Sequence, residues 1–140
     1  MTTKVYLAGN MHTNWREFVI KEFQGPNSAS MIPDVHFLMP LNTPDVSRPG
    51  AGNKDWYFLR DKNSVRQADV LFGYIEGYDE HSRHSGLSAE IGIAYALGKT
   101  ILLVNLMPEV HSFEFLEKMA DSVFSSLLEG VKALNFIVRS

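Results

Sequence analysis

Two acidic residues stand at positions where a helix would turn them toward its packed side. Glu90 follows Leu87 at helical spacing, and Asp61 shares a helical stripe with Phe58 and Val65. A buried carboxylate costs free energy unless a partner or a reaction uses it. In reactions, such a group serves as a nucleophile or as a proton carrier. Glu90 and Asp61 are therefore the first candidates for chemistry.

Each of these acids also has a structural interpretation. We predict Glu90 in the first turn of its helix, where a carboxylate interacts favourably with the helix dipole. That explains where Glu90 lies along the helix, but it does not explain the inward face. Asp61 has candidate ion-pair partners in Arg60 and Arg66, or a partner in a neighbouring backbone amide. Spacing alone leaves both interpretations open.

The sequence lacks several other motifs that carry chemistry. The histidines at 81, 84 and 111 have no regular ligand spacing, so we predict no metal site. Residues 9–12 do not match the GxGxxG pattern, and no GxxxxGK[ST] segment is present. Neither Ser82 nor Ser85 lies in a GxSxG turn. These patterns disfavour a phosphate-binding loop and a serine nucleophile.

Short apolar runs alternate with helical patterns along the chain. We predict strands over residues 4–9, 35–39, 68–75, 100–106 and 122–126, although the last segment is also compatible with a longer helix. A first helix opens at residues 13–17 with Thr13 as its N-cap, carries Phe18, Val19 and Phe23 on its apolar stripe, and stops at residue 25. Further helices are predicted over residues 55–67, 87–97, 113–120 and 129–138.

This alternation predicts a parallel sheet of about five strands that helices cover on both faces. The expected fold class is α/β, as one doubly wound domain of the flavodoxin-like or Rossmann-like kind over residues 1–140. Ligands bind such sheets beyond the carboxyl ends of the strands. The segments that follow the predicted strands at that edge are residues 9–13, 41–54, 76–88 and 105–108.

Composition excludes several classes of protein. The 140 residues carry a net charge of −3 without a basic block, which argues against binding to a nucleic acid polymer or to an anionic membrane. The absence of cysteine excludes disulfides and thiolate sites. No apolar run approaches the roughly 20 residues of a membrane span, and a strand pattern begins at once, without a signal peptide. We therefore expect a cytoplasmic protein.

Three segments together resemble a known family. They are VYLAG at 5–9, Asp61 ahead of the Ala68-Asp69-Val70 strand start, and SGLSAEIGIAYALGK at 85–99. Their order and spacing resemble the nucleoside 2-deoxyribosyltransferase family, whose wider relatives include nucleotide N-glycosidases. The opening VYLAGNMHTNWRE at 5–17 also resembles YtoQ-type proteins.

The resemblance implies a role for each matching residue. Glu90 becomes the nucleophile within the pattern from Gly86 to Gly92, Tyr6 orients its carboxylate, and Asp61 assists the departing base. His84 stands where the transferases usually carry an aspartate, which leaves room for a 5′-phosphate near His84 and Ser85. The implied substrate-binding residues are Gly9, Asn10, His84, Ser85 and Gly86. The family's carboxyl-terminal asparagine, which crosses a subunit contact, has no match here.

The resemblance also implies the reaction and its partners. We expect cleavage of the N-glycosidic bond of a nucleoside, or of a nucleotide, through a glycosyl-Glu90 intermediate, with transfer of the sugar to a free nucleobase. The alternatives are a 5′-monophosphate N-glycosidase and a non-catalytic binding module. No metal or organic cofactor is required. A homo-oligomer is expected from the family and from the apolar 113–128 segment, with Phe113, Phe115, Leu116, Met119, Val123 and Phe124.

Overall fold

Five strands pair in parallel to form one sheet in the described part of the chain, in the order β2-β1-β3-β4-β5. The computed structural model describes residues 2–10, 13–25, 34–40, 54–77 and 84–140. The strands are β1 (Thr3–Gly9), β2 (Val35–Leu38), β3 (Val70–Ile75), β4 (Thr100–Asn105) and β5 (Ser122–Phe124). The helices are α1 (Trp15–Gln24), α2 (Lys54–Gln67), α3 (Ser85–Ala96), α4 (Glu114–Met119) and α5 (Leu127–Arg139), with a 3-10 turn at His111–Phe113.

The central strands are apolar throughout because helices cover both faces of the sheet. All six residues of β3 are buried, and its register sets Gly73 between Ala8 of β1 and Leu103 of β4. Alternate residues of each strand point into two separate cores, as the pleat of a strand requires. The predicted doubly wound α/β fold is confirmed.

Each face of the sheet has its own helix layer. One core joins alternate sheet residues to α2, α3 and α4, through Val65, Leu87, Ile91, Ala94 and Leu116. The other core joins the remaining sheet residues to α1 and α5, through Trp15, Val19, Phe23, Val131 and Leu134. The strand order reverses between β1 and β3, so a ligand crevice is expected at the carboxyl ends of these two strands.

The first helix differs from its prediction at its start. α1 begins at Trp15 after Asn14, and Thr13 does not cap it; the Thr13 hydroxyl instead donates to Oε1 of Glu76 at 2.6 Å. Phe18, predicted on the apolar stripe, is 40% exposed, whereas Trp15 is buried. The buried face of α1 is therefore rotated from the predicted one. Trp15 packs under the end of β3 beside the Tyr74 ring, with 5.1 Å between the ring centroids.

The helix that carries Glu90 begins earlier than predicted. α3 starts at Ser85 rather than at Leu87, because His84 adopts a left-handed conformation (φ 57°) and its carbonyl accepts from the Ser88 backbone N–H and hydroxyl. Glu90 therefore lies in the second turn, and the prediction of a first-turn position is wrong.

Some predicted features lie outside the described residues. They include most of the 41–54 loop and, in the 76–88 loop, residues 78–83 with His81 and Ser82. Within the described ranges, no group of three or more histidine, aspartate or glutamate side chains is placed to hold a metal ion. Among the helices described, none is both long enough and apolar enough to cross a membrane.

Candidate functional site

Tyr6, Asp61 and Glu90 lie on three elements that pack against one another, β1, α2 and α3. The Tyr6 side chain on β1 is fully buried and points into the core that α2, α3 and α4 cover. Glu90 lies on α3 and Asp61 on α2, the two helices that pack against each other over this strand. Tyr6 interacts electrostatically with both acids, so the three side chains form one candidate site.

The Glu90 carboxylate is held in an environment that disfavours its charge. Its Oε2 atom is enclosed and has no hydrogen-bond partner among the described residues. Loss of water raises the pKa of Glu90 from its ordinary value of 4.5 to about 7, and the negative charge of Asp61 acts in the same direction. Tyr6 and the positive charge of Arg16 act in the opposite direction. Near neutral pH, Glu90 is therefore partly protonated and partly ionised.

The Tyr6 hydroxyl is the natural hydrogen-bond donor to this carboxylate. Burial raises the pKa of Tyr6, and the nearby charges of Glu90 and Asp61 raise it further, so the phenol keeps its proton. The hydroxyl lies near enough to Glu90 to interact with it, yet in the described chain the phenol oxygen has no partner that meets hydrogen-bond geometry. Catalytic hydrogen bonds are often loose in the free enzyme and tighten when substrate binds.

Asp61 has a structural partner as well as a place in the site. Its Oδ1 accepts from Nε of Arg60 at 3.0 Å and from Nη2 at 2.9 Å. The Asp61 side chain is 24% exposed, so solvent or a ligand reaches part of it. The pairing with Arg60 that the sequence offered as one alternative therefore exists, and it coexists with the proximity of Asp61 to Tyr6 and Glu90.

Two glycines lie on the elements that carry Tyr6 and Glu90. Gly9 ends β1 at a φ of +152°, and a Cβ there would lie 2.6 Å from the Tyr74 carbonyl oxygen and 3.0 Å from the Trp15 ring. Only glycine fits this close approach of two backbones. A Cβ on Gly86, one turn before Glu90, would lie 3.8 Å from its Oε1. Glycine at position 86 thus leaves no side chain of its own in contact with this oxygen.

The predicted contact residues at the start of α3 have different surroundings. The His84 ring is buried, its Nε2 bonds to the Gly77 carbonyl at 2.8 Å, and its edge packs on the Phe113 ring. Because a carbonyl only accepts, Nε2 carries the proton of this bond. Ser85 is exposed. The phosphate-binding role of these two residues stays a prediction.

Sequence reasoning missed Arg16. This side chain is only 7% exposed, and it donates to the carbonyl oxygens of Leu7, Gly9 and Asn10. The Asn10 carbonyl also accepts from Nε1 of Trp15 at 2.9 Å. Arg16 stands three residues before Val19 on the buried face of α1, so the stripe argument that identified the two acids would have identified this base too.

A separate cavity of about 450 Å³ lies on the opposite side of β3. Its lining residues, from α1, the end of β3 and the start of α5, include Trp15, Tyr74 and Glu76. Burial raises the pKa of Tyr74, and the Glu76 carboxylate beside it adds to this effect. Neither Glu90 nor Asp61 lines this cavity, so it is not part of the site described above.

The arrangement is suited to chemistry that passes through positive charge. A carboxylate in a poorly solvated position stabilises a developing cation or bonds to it, and a second acid nearby can move a proton. The site lies at the reversal of strand order, where sheets of this kind bind their ligands. Metal-binding clusters of three acids or histidines are not found in the residues described.

Comparison with known proteins agrees with this fold. The family model "Nucleoside 2-deoxyribosyltransferase" matches residues 5–123. A search of curated proteins found no significant match. A conserved protein from Enterococcus faecalis V583 is structurally similar with a TM-score of 0.67 at 18% identity, covering 96% of this chain and 99% of the other.

Two further solved structures have the same fold. A 2-desoxiribosyltransferase from Leishmania mexicana has a TM-score of 0.62 at 20% identity, covering 98% of this chain and 97% of the other. The CMP N-glycosidase BcmB from Clostridium botulinum has a TM-score of 0.57 at 16% identity, covering 95% and 99%. The family match spans the strand of Tyr6, the helix of Asp61 and the helix of Glu90. The chain therefore belongs to the nucleoside 2-deoxyribosyltransferase family.

Proposed function

We propose that this protein is an enzyme that cleaves the N-glycosidic bond of a nucleoside and transfers the sugar to another nucleobase. The observation that carries the proposal is the Glu90 carboxylate, whose Oε2 atom is enclosed, beside the buried Tyr6 hydroxyl of β1. Family membership and the resemblance of the fold to a 2-desoxiribosyltransferase support it.

In the first step, Glu90 replaces the base on the sugar. A carboxylate oxygen of Glu90 bonds to C1′ while the C1′–N bond breaks, and the electron pair of that bond leaves with the base. The transition state resembles an oxocarbenium ion, which a negative charge close to C1′ stabilises. A proton that Asp61 takes up from solvent passes to the departing base.

In the second step, the acceptor releases the enzyme. A ring nitrogen of a free nucleobase bonds to C1′, the C1′–O bond to Glu90 breaks, and the carboxylate regains its electron pair. The acceptor nitrogen gives up its proton to Asp61, which returns it to solvent, and the enzyme is restored. Tyr6 donates to the Glu90 carboxylate when it is free and fixes its orientation. Gly9, Asn10 and Gly86 line the place of the sugar.

A second candidate is a nucleotide N-glycosidase, in which water takes the place of the acceptor base. His84 and Ser85 favour it, because neither carries the negative charge with which an aspartate would repel a 5′-phosphate. The likeness of the fold to a CMP N-glycosidase is consistent with this alternative. A non-catalytic nucleoside-binding module is the third possibility.

Product analysis distinguishes these three functions. The protein is incubated with a set of deoxynucleosides or their 5′-monophosphates and a free acceptor base, and the products are separated by chromatography. A new nucleoside supports the transferase, whereas free base with free sugar or sugar phosphate supports the glycosidase. Binding of substrate without any turnover would overturn the proposal of an enzyme.

Three variants assign the proposed roles in this assay. Glu90→Gln keeps the shape of the side chain but cannot form the glycosyl ester, so turnover should fall by several orders of magnitude. Asp61→Asn should cost about 10²–10⁴-fold, the usual contribution of proton transfer. Tyr6→Phe should cost less, since it removes one orienting hydroxyl.

Glu117→Gln is the matched control. Glu117 is a half-buried acid on α4 whose Oε1 accepts from the Asn105 amide at 2.9 Å, outside the proposed site. Its variant should keep the wild-type rate. A Glu90→Gln protein as active as the Glu117→Gln protein would remove Glu90 from the mechanism.

A further inference from the structure

Arg16 is a buried base whose described hydrogen bonds all go to backbone carbonyl groups. Its Nε donates to Leu7 O at 3.1 Å, its Nη2 to Gly9 O at 3.0 Å and its Nη1 to Asn10 O at 2.8 Å. The guanidinium also lies over the Trp15 ring, 4.6 Å from its centroid. The three carbonyls belong to the last part of β1 and the residue that follows it, so one side chain fixes the whole exit of this strand.

The position of this charge relative to the site requires an explanation. Carbonyl dipoles only partly replace the water that a buried guanidinium loses, and burial lowers the pKa of Arg16. The groups that oppose this effect are Tyr6, Glu90 and Asp61, which are the three side chains of the proposed site. The charge of Arg16 therefore reaches the reacting centre from behind β1.

We propose that Arg16 is a positioning residue of the site, which anchors the Gly9–Asn10 exit of β1 and holds a positive charge behind this strand. The proposal rests on the role of Glu90 stated above and deepens it. Arginine suits both tasks, because its planar fork reaches three acceptors at once while it stays charged. A lysine has the charge but not the fork.

The charged and titratable groups that act on Glu90 come from three elements. Among the described residues, Tyr6 of β1, Arg16 of α1 and Asp61 of α2 affect the charge of Glu90. Of these three side chains, only Arg16 is positively charged. Arg60 is already paired with Asp61. On α4, which also packs on α3, Glu117 is bonded to Asn105 and Glu114 to His111 at the surface.

The test measures the titration of Glu90 directly, without turnover. Protein labelled with ¹³C at the glutamate side-chain carboxyl carbon is titrated by NMR, and the Glu90 signal is identified by its loss in Glu90→Gln. Arg16→Met removes the charge and should move the Glu90 midpoint upward by about 0.5–1 pH unit. Arg16→Lys keeps a charge and should leave the midpoint within about 0.3 unit of wild type.

Val131→Ala is the control for general destabilisation. Val131 is buried on α5 in the other core, so this variant lowers the melting temperature without touching the site. Its Glu90 midpoint should equal that of wild type. A midpoint that is unchanged in Arg16→Met, or one that moves equally in Val131→Ala, would overturn the electrostatic part of the proposal.

Steady-state kinetics test the anchoring part. Arg16→Lys cannot bond the three carbonyls together, so the KM for the nucleoside should rise about three- to tenfold while the pH midpoint of kcat/KM stays in place. A KM for Arg16→Lys equal to that of the wild-type protein would overturn the anchoring part of the proposal. This test does not depend on whether Arg16→Met folds. If the wild-type protein turns over no nucleoside, the proposed function fails, whereas the NMR titration still decides the electrostatic role of Arg16.

Discussion

At the scale of single residues, the site depends on how poorly Glu90 is solvated. The helical spacing already predicted that Glu90 and Asp61 face inward, and the structure places both next to Tyr6. The effect of this position on the charge was not predictable from spacing. A first-turn glutamate would be stabilised as an anion by the helix dipole, whereas Glu90 lies one turn further, and burial raises its pKa to about 7.

This environment predicts the pH dependence of the reaction. In the proposed mechanism Glu90 must be ionised to act as the nucleophile, and burial raises its pKa to about 7, so kcat/KM should fall about tenfold for each pH unit below that value. Initial rates at low substrate concentration between pH 5 and 9 measure this limb. A limb with its midpoint near pH 4.5 would mean that the Glu90 carboxylate is as well solvated in the enzyme as in an open chain.

The same environment predicts that Glu90 costs stability at high pH. The folded protein holds a proton on Glu90 up to about pH 7, whereas the unfolded chain releases it near 4.5, so stability is present below 4.5 and is lost as the pH rises through 7. Glu90→Gln has no such loss. Relative to wild type, this variant should gain about 1–3 kcal/mol between pH 5 and pH 8.

Urea unfolding of both proteins at the two pH values measures this gain. The Glu117→Gln variant, measured at the same two pH values, is again the control for replacing a partly buried acid. An equal difference for Glu90→Gln at the two values would contradict the enclosed position of its carboxylate.

At the scale of elements, the alternation of strands and helices was predictable, while their ends were not. Every predicted strand and helix exists, because apolar runs and helical stripes are long-range patterns that survive local detail. The starts of α1 and α3 depend on contacts that the sequence does not display, such as the bond from Thr13 to Glu76 and the left-handed conformation of His84. The exit of β1, with Arg16 under it, is also set by such contacts.

Gly9 tests the close approach at this exit. Gly9→Ala places a Cβ 2.6 Å from a backbone oxygen of β3 at a φ that side chains rarely adopt, so stability should fall by about 2–4 kcal/mol. Activity should fall with it, because the Gly9–Asn10 exit must move. Urea unfolding and the base-exchange assay measure the two effects.

Gly98→Ala provides the comparison for Gly9→Ala. Gly98 also has a positive φ, of +71°, but its Cβ would meet nothing within 4 Å. This variant should lose only about 1 kcal/mol and keep full activity. Similar losses in both variants would show that backbone strain alone, and not the approach of β1 to β3, requires Gly9.

At the scale of the whole molecule, the expected self-association stays a prediction. Phe113 and Leu116 of the apolar 113–128 segment lie in the core of this chain. Their burial explains why both side chains are apolar, and no contact with another subunit is needed for it. Phe115 is 77% exposed, and Phe136 on α5 is 75% exposed. Exposed aromatic side chains of this size are typical of interfaces between subunits.

Light scattering coupled to gel filtration measures this association at micromolar concentration. We expect at least a dimer, and we expect Phe115→Ser or Phe136→Ser to lower its mass if that side chain lies in the interface. A fully active monomer would contradict the prediction.

The central claim, that Glu90 bonds covalently to the sugar, is tested most directly by trapping the intermediate. A 2-fluoro-arabinosyl nucleoside slows the breakdown of the glycosyl ester, so intact-protein mass spectrometry of the quenched wild-type enzyme should show a mass increase of one fluorinated sugar. Peptide mapping should place it on Glu90, and Glu90→Gln should show none. A wild-type enzyme that is active but forms no adduct, or forms its adduct on another residue, would contradict the account.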